Sequence, residues 1–134
     1  MAGKTDAYVD TSALIAALDR SDSYHALFVR LFAKPPVLIT SSLVIAEGHG
    51  WFLRRYDAGR AVQFLNFVEA LTPLTVLPFD HEALLKATAL IHRFTDQHLT
   101  LADAHGLVLM EEKKTRVCWS TDRHLRLTGV PLVI

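Results

Sequence analysis

Four carboxylates in this chain lack the partners that their local sequence would normally supply. Glu47 lies within SSLVIAEGHGWFLRRY, where the residues three and four positions away are Leu43, Val44, Gly50 and Trp51, so no Lys or Arg is in helical reach. A carboxylate on an apolar helical stripe costs free energy unless a metal, a donor or a distant cation satisfies it. Asp103 repeats the pattern in HLTLADAHGLVLM, with Leu99, Thr100, Gly106 and Leu107 as its neighbours. Asp10 closes a short apolar run, and Asp122 follows another in RVCWSTDRHL. Both therefore belong at the carboxyl edge of a sheet, where open α/β folds bind ligands. Three of the acids also have a plainer reading: Asp10 caps the next helix, Asp122 forms a turn, Glu47 is an ordinary solvated surface charge. Taken together, four acids with few local cations repel one another without a counter-ion. The pattern asks for a hard divalent ion, Mg²⁺ or Mn²⁺, held by carboxylate oxygens.

The elements that must position these acids are legible from periodicity and punctuation. Short β-branched or apolar runs at residues 7–9, 37–40, 75–77, 116–120 and 131–134 read as five strands. Longer stretches at 12–19, 23–33, 42–56, 59–71, 81–94 and 100–113 read as helices, with N-cap signals at Ser41 and Ser42, at Asp57, and at Asp80 followed by His81 and Glu82. Strands alternating with helices imply an α/β fold with a central parallel sheet of about five strands, covered on both faces. Pro35, Pro36, Pro73, Pro78 and Pro131 all fall between elements or at a first residue. With no repeat or linker, residues 1–134 are expected to form a single domain.

Composition narrows the function classes. Apolar residues make up 51% and charged residues 21% of the chain, which excludes a disordered polypeptide. Lys plus Arg number 14 and Asp plus Glu number 14, so any nucleic-acid binding must come from local patches rather than a global basic field. The candidates for such a patch are Arg54, Arg55, Arg123 and Arg126. One cysteine, Cys118, excludes an intrachain disulfide and a cysteine-rich zinc site. The opening MAGKTDAYVD has no apolar leader and no run is long enough to span a bilayer, so the expectation is a cytoplasmic protein without a membrane partner. Seven histidines are scattered without a zinc spacing; His105 and His124, close in sequence to Asp103 and Asp122, are candidates to touch a phosphate. Gly48 and Gly50 inside a helical stretch each cost about 1 kcal/mol relative to Ala. They call for a local reason: close approach by another helix or by RNA, or a weakened helix held by Trp51 and Phe52.

The segments VDTSALIAALD, SSLVIAE, DQHLTLADA and STDRHL together resemble the PIN domain, in particular the VapC toxins of toxin–antitoxin pairs, over nearly the whole chain. The resemblance implies a PIN-like α/β/α sandwich whose acidic metal site maps onto Asp10, Glu47, Asp103 and Asp122. It adds Asp96 as a further acid near the site and Thr11, Ser12, Ser120 and Thr121 as supporting hydroxyls. The sequence departs from the pattern at Ala102, where a hydroxyl residue usually precedes the acid, and at Gly48 and Gly50.

What the resemblance implies chemically is metal-dependent endoribonuclease activity with Mg²⁺ or Mn²⁺. The ion lowers the pKa of water, orients the phosphate and stabilises charge on the departing 3′ oxygen. It also implies RNA as substrate, a cognate antitoxin as partner, and a homodimer, for which Trp51, Phe52 and Leu53 offer an apolar contact strip. A PIN-like binding module within a larger RNA-processing assembly is the alternative, and the presence of all four acids argues against it. A phospho-receiver domain would need an acidic pair after the first strand, but Val9 precedes Asp10; a haloacid-dehalogenase-like phosphatase would need Asp where Ser12 stands.

Overall fold

The computed structural model describes residues 6–134. In chain order the elements are β1 (Ala7–Val9), α1 (Thr11–Leu18), α2 (His25–Ala33), β2 (Leu38–Ser41), α3 (Ser42–Arg55), α4 (Ala58–Ala70), β3 (Leu74–Leu77), α5 (His81–Arg93), α6 (Leu101–Lys113) and β4 (Val117–Trp119). Two short 3₁₀ turns, at Thr95–Gln97 and Arg123–Arg126, complete them. The strands form one parallel sheet in the order β3-β2-β1-β4. Every residue of β1 and β2 is buried, which in a pleated strand means that both faces are covered. β3, at the edge, keeps Thr75 and Val76 exposed.

The expected fifth strand is reduced to a single bridge. Leu132 pairs in parallel with Cys118, through Cys118 N–H to the Pro131 carbonyl at 2.8 Å and Val133 N–H to the Cys118 carbonyl at 3.0 Å. Pro131 has no N–H to extend the ladder towards its own N-terminus, so the segment docks beside β4 without becoming a strand. The sheet therefore has four strands rather than about five.

Side-chain caps start the helices that the sequence signals. Ser41 accepts from Leu43 N–H, Asp57 from Arg60 N–H and Asp80 from Ala83 N–H. The second helix begins at His25 rather than near Ser23, because Asp22 first turns the chain by accepting from Tyr24 N–H. The two glycines of α3 separate into different cases. A Cβ on Gly48 would run into the aromatic ring of Phe64 on α4, so α3 and α4 approach through that gap, whereas a Cβ on Gly50 would meet only the flexible end of Arg54 at 3.0 Å. Gly48→Ala should therefore lose about 1–3 kcal/mol by overpacking a buried aromatic. Gly50→Ala should be neutral or gain up to about 1 kcal/mol from helix propensity. Thermal melts of the two variants measure the difference.

Candidate metal centre

Asp10 directly follows β1, and its backbone N–H still bonds the Trp119 carbonyl of β4 at 3.0 Å. It stands at the N-cap position of α1 but its side chain makes no capping hydrogen bond, so the simple capping reading fails. Instead both hydrogen-bonding hydroxyls end on one oxygen: Ser12 Oγ donates to Asp10 Oδ2 at 3.0 Å and Ser120 Oγ donates to the same atom at 2.9 Å. These serines are in turn held by backbone, Thr121 N–H donating to Ser12 at 3.0 Å and Asp122 N–H donating to Ser120 at 2.9 Å. The effect is to lock the start of α1 to the turn after β4, with Asp10 Oδ1 left unengaged by any of these hydroxyls. Asp10 is 6% exposed. Burial raises its carboxyl above the ordinary range, the two serine bonds pull it back in part, and the charge of Asp103 adds to the rise.

Glu47 on α3 is the most open of the four acids, being exposed as a residue. The apolar look of its helical neighbours does not mean that this face is covered. Its carboxylate is nevertheless anchored, accepting from Thr11 Oγ1 at 2.7 Å. Desolvation and the charges of Asp10 and Asp122 raise its pKa against the pull of that bond. Asp103 sits in the first turn of α6 in a capping box: its N–H donates to Thr100 Oγ1 at 3.1 Å, and its Oδ2 accepts from Thr100 N–H at 3.2 Å. Its side chain is only 13% exposed. Desolvation raises its carboxyl too, the Thr100 bonds oppose this, and Asp122 and Glu47 push further upward. Asp122 precedes the Arg123–Arg126 turn and accepts from His124 N–H at 3.0 Å.

The four acids thus converge on the carboxyl edge of the sheet from four separate segments, and among the described residues no Lys or Arg forms an ion pair with any of them. Among the described residues the basic side chain within 4.0 Å of these acids is His124, whose Nδ1 lies 3.3 Å from Asp122 Oδ1 and 3.9 Å from Asp103 Oδ2. Asp103, Asp122 and His124 each offer a ligand atom within 4.8 Å of the others, the tight part of the cluster. Asp10 and Glu47 stand outside that group but within range of its charge. Among the described residues one other carboxylate, Asp19, is buried, and it behaves oppositely. For Asp19, burial alone would raise the pKa, but bonds from Ser21 Oγ at 2.8 Å, Ser21 N–H at 3.1 Å and Tyr56 OH at 2.9 Å outweigh it, and the carboxyl falls below the usual value. Asp19 is satisfied by the protein; the cluster acids are not.

Other expected site residues are divided by the structure. Thr11, Ser12 and Ser120 join the cluster through their hydroxyls, and Thr121 joins through its backbone N–H. Asp96 is exposed in the 3₁₀ turn and bonds only Gln97 Nε2, at 3.4 Å, so it takes no part in this hydrogen-bond network. His105 does not reach a phosphate position. It is 2% exposed, its Nδ1 bonds Ser41 Oγ at 2.6 Å, the ring packs edge-on against Phe79 at 5.0 Å, and burial lowers its pKa, so it is a neutral core histidine. Arg54 lines a cavity with Thr11, Ile15, Glu47 and Trp51. Arg55 is exposed and faces the Asp19 side. Arg123 and Arg126, also exposed, border a separate groove with Tyr24 and Leu132. Phe52 is 1% exposed, packed against Phe64 at 5.6 Å, and cannot belong to an exposed apolar strip; only Leu53 and part of Trp51 remain open there.

The profile of the PIN domain family matches residues 7–130. Among solved structures, the VapC20 toxin of Mycobacterium tuberculosis, which cleaves the sarcin-ricin loop, superposes with a TM-score of 0.84 at 25% identity, covering 93% of this chain and 96% of that one. VapBC2 of Rickettsia felis, bound to a DNA fragment from its promoter, aligns at TM-score 0.64 and 13% identity over 96% of both chains. A toxin-antitoxin complex of Klebsiella pneumoniae aligns at 0.62 and 19% identity, over 94% of this chain and 93% of that one. The last two likenesses are of fold. No curated protein matches by sequence. With a four-stranded parallel sheet carrying acids on its carboxyl edge and a family match over nearly its whole length, the chain belongs to the PIN domain family.

Proposed function

We propose that this protein is a divalent-metal-dependent endoribonuclease, the toxin of a toxin–antitoxin pair. The observation that carries the reading is the set of four converging carboxylates, three of them raised in pKa by desolvation and by one another, with no Lys or Arg among the described residues in an ion pair with them. The donor set suits Mg²⁺ or Mn²⁺, whose preferred ligands are carboxylate oxygens. Asp103 and Asp122 would hold the ion closely, with Asp10 and Glu47 completing the negative field and His124 at its border. When bound, such an ion supplies Lewis-acid stabilisation of phosphoryl charge and eases deprotonation of water.

The chain's own residues do the positioning. Ser12 and Ser120 orient Asp10, Thr11 orients Glu47, and Thr100 fixes Asp103. Ser120→Ala, which leaves Asp10 one hydroxyl, should weaken metal binding about ten- to hundredfold, the usual effect of losing a partner that orients a ligand. Titration of Mn²⁺ by calorimetry measures it. Arg54, Arg123 and Arg126 are exposed and are the proposed contacts to substrate phosphates, Arg54 from beside Glu47 and Arg123 and Arg126 from the separate groove they border.

Two features follow from the structural neighbours. An antitoxin protein is the proposed partner, and a stem-loop carrying the sarcin-ricin sequence is the first substrate to test. The decisive experiment incubates the purified protein with that RNA in Mn²⁺ and in EDTA. Cleavage in Mn²⁺ that stops in EDTA supports the reading; equal cleavage in both overturns metal dependence. A homodimer is also proposed, and Leu53, 46% exposed, is the α3 residue left to test as its contact. No helix among the described residues is long and apolar enough to cross a membrane.

A further inference from the structure

A cavity of about 260 Å³ opens beside the acid cluster, lined by Thr11, Ile15, Glu47, Trp51 and Arg54. We propose that it is a subsite for one nucleobase of the substrate, stacked on the Trp51 indole next to the bond that is cut. The proposal rests on the nuclease reading above and deepens it.

Four observations point to a base. The cavity shares Thr11 and Glu47 with the cluster, so whatever fills it lies adjacent to the acids. Its size is just below the roughly 300 Å³ at which sites for whole small molecules begin, which suits a base alone rather than an entire nucleotide. Its walls combine apolar Ile15 and an indole with one carboxylate and one guanidinium, a nearly neutral lining that accepts a flat uncharged ring, while a phosphate would face Glu47 directly. Finally, the indole is half-buried and held: Phe52 packs edge-on at 4.9 Å and Tyr56 at 6.1 Å. A platform fixed in advance loses little freedom on binding. Base stacking on an aromatic side chain tolerates any base, because every base has a π-face.

Gly50 fits the same picture. With no Cβ there, the Arg54 guanidinium lies back along α3, its Nη1 3.0 Å from where that Cβ would be, and this keeps the cation on the cavity wall. From that position it can pair with the phosphate attached to the stacked nucleotide and offset the repulsion from Glu47.

The test uses a short oligoadenylate and an abasic strand of the same length, with the full chain in Mn²⁺. Binding of the oligoadenylate should quench indole fluorescence, and the abasic strand should not. Trp119, 3% exposed, should not respond. Trp51→Ala should weaken oligoadenylate binding roughly ten- to hundredfold, and Trp51→Phe should retain most of it. Arg54→Ala should weaken both strands alike, since it acts on phosphate. Mn²⁺ affinity should be unchanged in both Trp51 variants. Quenching by the oligoadenylate supports the subsite even if no RNA is ever cleaved, which would count against the nuclease reading alone. Undiminished binding and cleavage by both Trp51 variants would overturn the subsite and leave the nuclease standing. Conversion of a dimer to a monomer by Trp51→Ala, with oligoadenylate binding intact, would overturn it in favour of a contact between copies.

Discussion

Asp10→Asn should lower RNA cleavage in Mn²⁺ about a hundred- to thousandfold, the usual loss when one preorganised electrostatic group is removed from a reacting centre. The substitution is chosen for what it preserves. Asparagine has nearly the volume of aspartate, and its Oδ can still accept from Ser12 or Ser120, so the lock between the start of α1 and the turn after β4 survives. What disappears is the charge at the most deeply buried of the four acids. A gel assay on the stem-loop RNA reads the rate, and circular dichroism reads the fold. A variant that is folded and inactive places Asp10 in the chemistry. A variant that cuts at the parental rate removes Asp10 from it, and with it the assignment of the buried end of the cluster.

The helices were legible because their signals are local. Ser41, Asp57 and Asp80 cap within three residues of themselves, and apolar spacing needs only one turn to declare itself. The acids were legible for a related reason: a carboxylate without a cation at helical spacing is an anomaly visible in the string. Their supports came from the family resemblance and not from spacing, since Thr11 reaches Glu47 across 36 positions and Ser120 reaches Asp10 across 110, distances over which spacing carries no information. Three errors share one cause. His105 sits near an acid in sequence and looked like a site residue, Phe52 looked like exposed surface, and Glu47 looked covered; each was decided by which element packs over it. For Phe52 that element is α4, entering through the gap at Gly48. One signal was available and missed: Thr100 three residues before Asp103 is the spacing of a capping box, which gives Asp103 a helix-starting duty besides any metal.

That double duty sharpens the second large expected effect. In EDTA at neutral pH, Asp103→Asn should melt at or above the parent, because it removes one charge from a mutually repelling cluster while the amide oxygen can still accept from Thr100 N–H. The sign follows from proton linkage. Asp10, Glu47 and Asp103 all have folded-state pKa values above their ordinary ones. Across the window that opens near pH 4 and extends upward, the folded chain therefore holds more protons than the unfolded one, and stability falls as pH rises. The metal-free parent should accordingly be more stable in mildly acidic than in neutral solution as far as these groups act, and Asp103→Asn should flatten that slope. Asp19, lowered in the fold, works the other way, its contribution being lost as pH falls through its lower range. Divalent metal reverses the balance at neutral pH: an ion that binds only the folded state adds about 2.7 kcal/mol at a hundredfold excess over its Kd. Asp103→Asn should gain much less, and acid should erase the gain in the parent because the ligands must be ionised. Thermal melts of both proteins with EDTA and with Mn²⁺, at neutral and mildly acidic pH, separate the two roles of this residue. If Asp103→Asn melts well below the parent in EDTA yet gains equally from Mn²⁺, the capping box is its whole purpose and the ion is held by other groups.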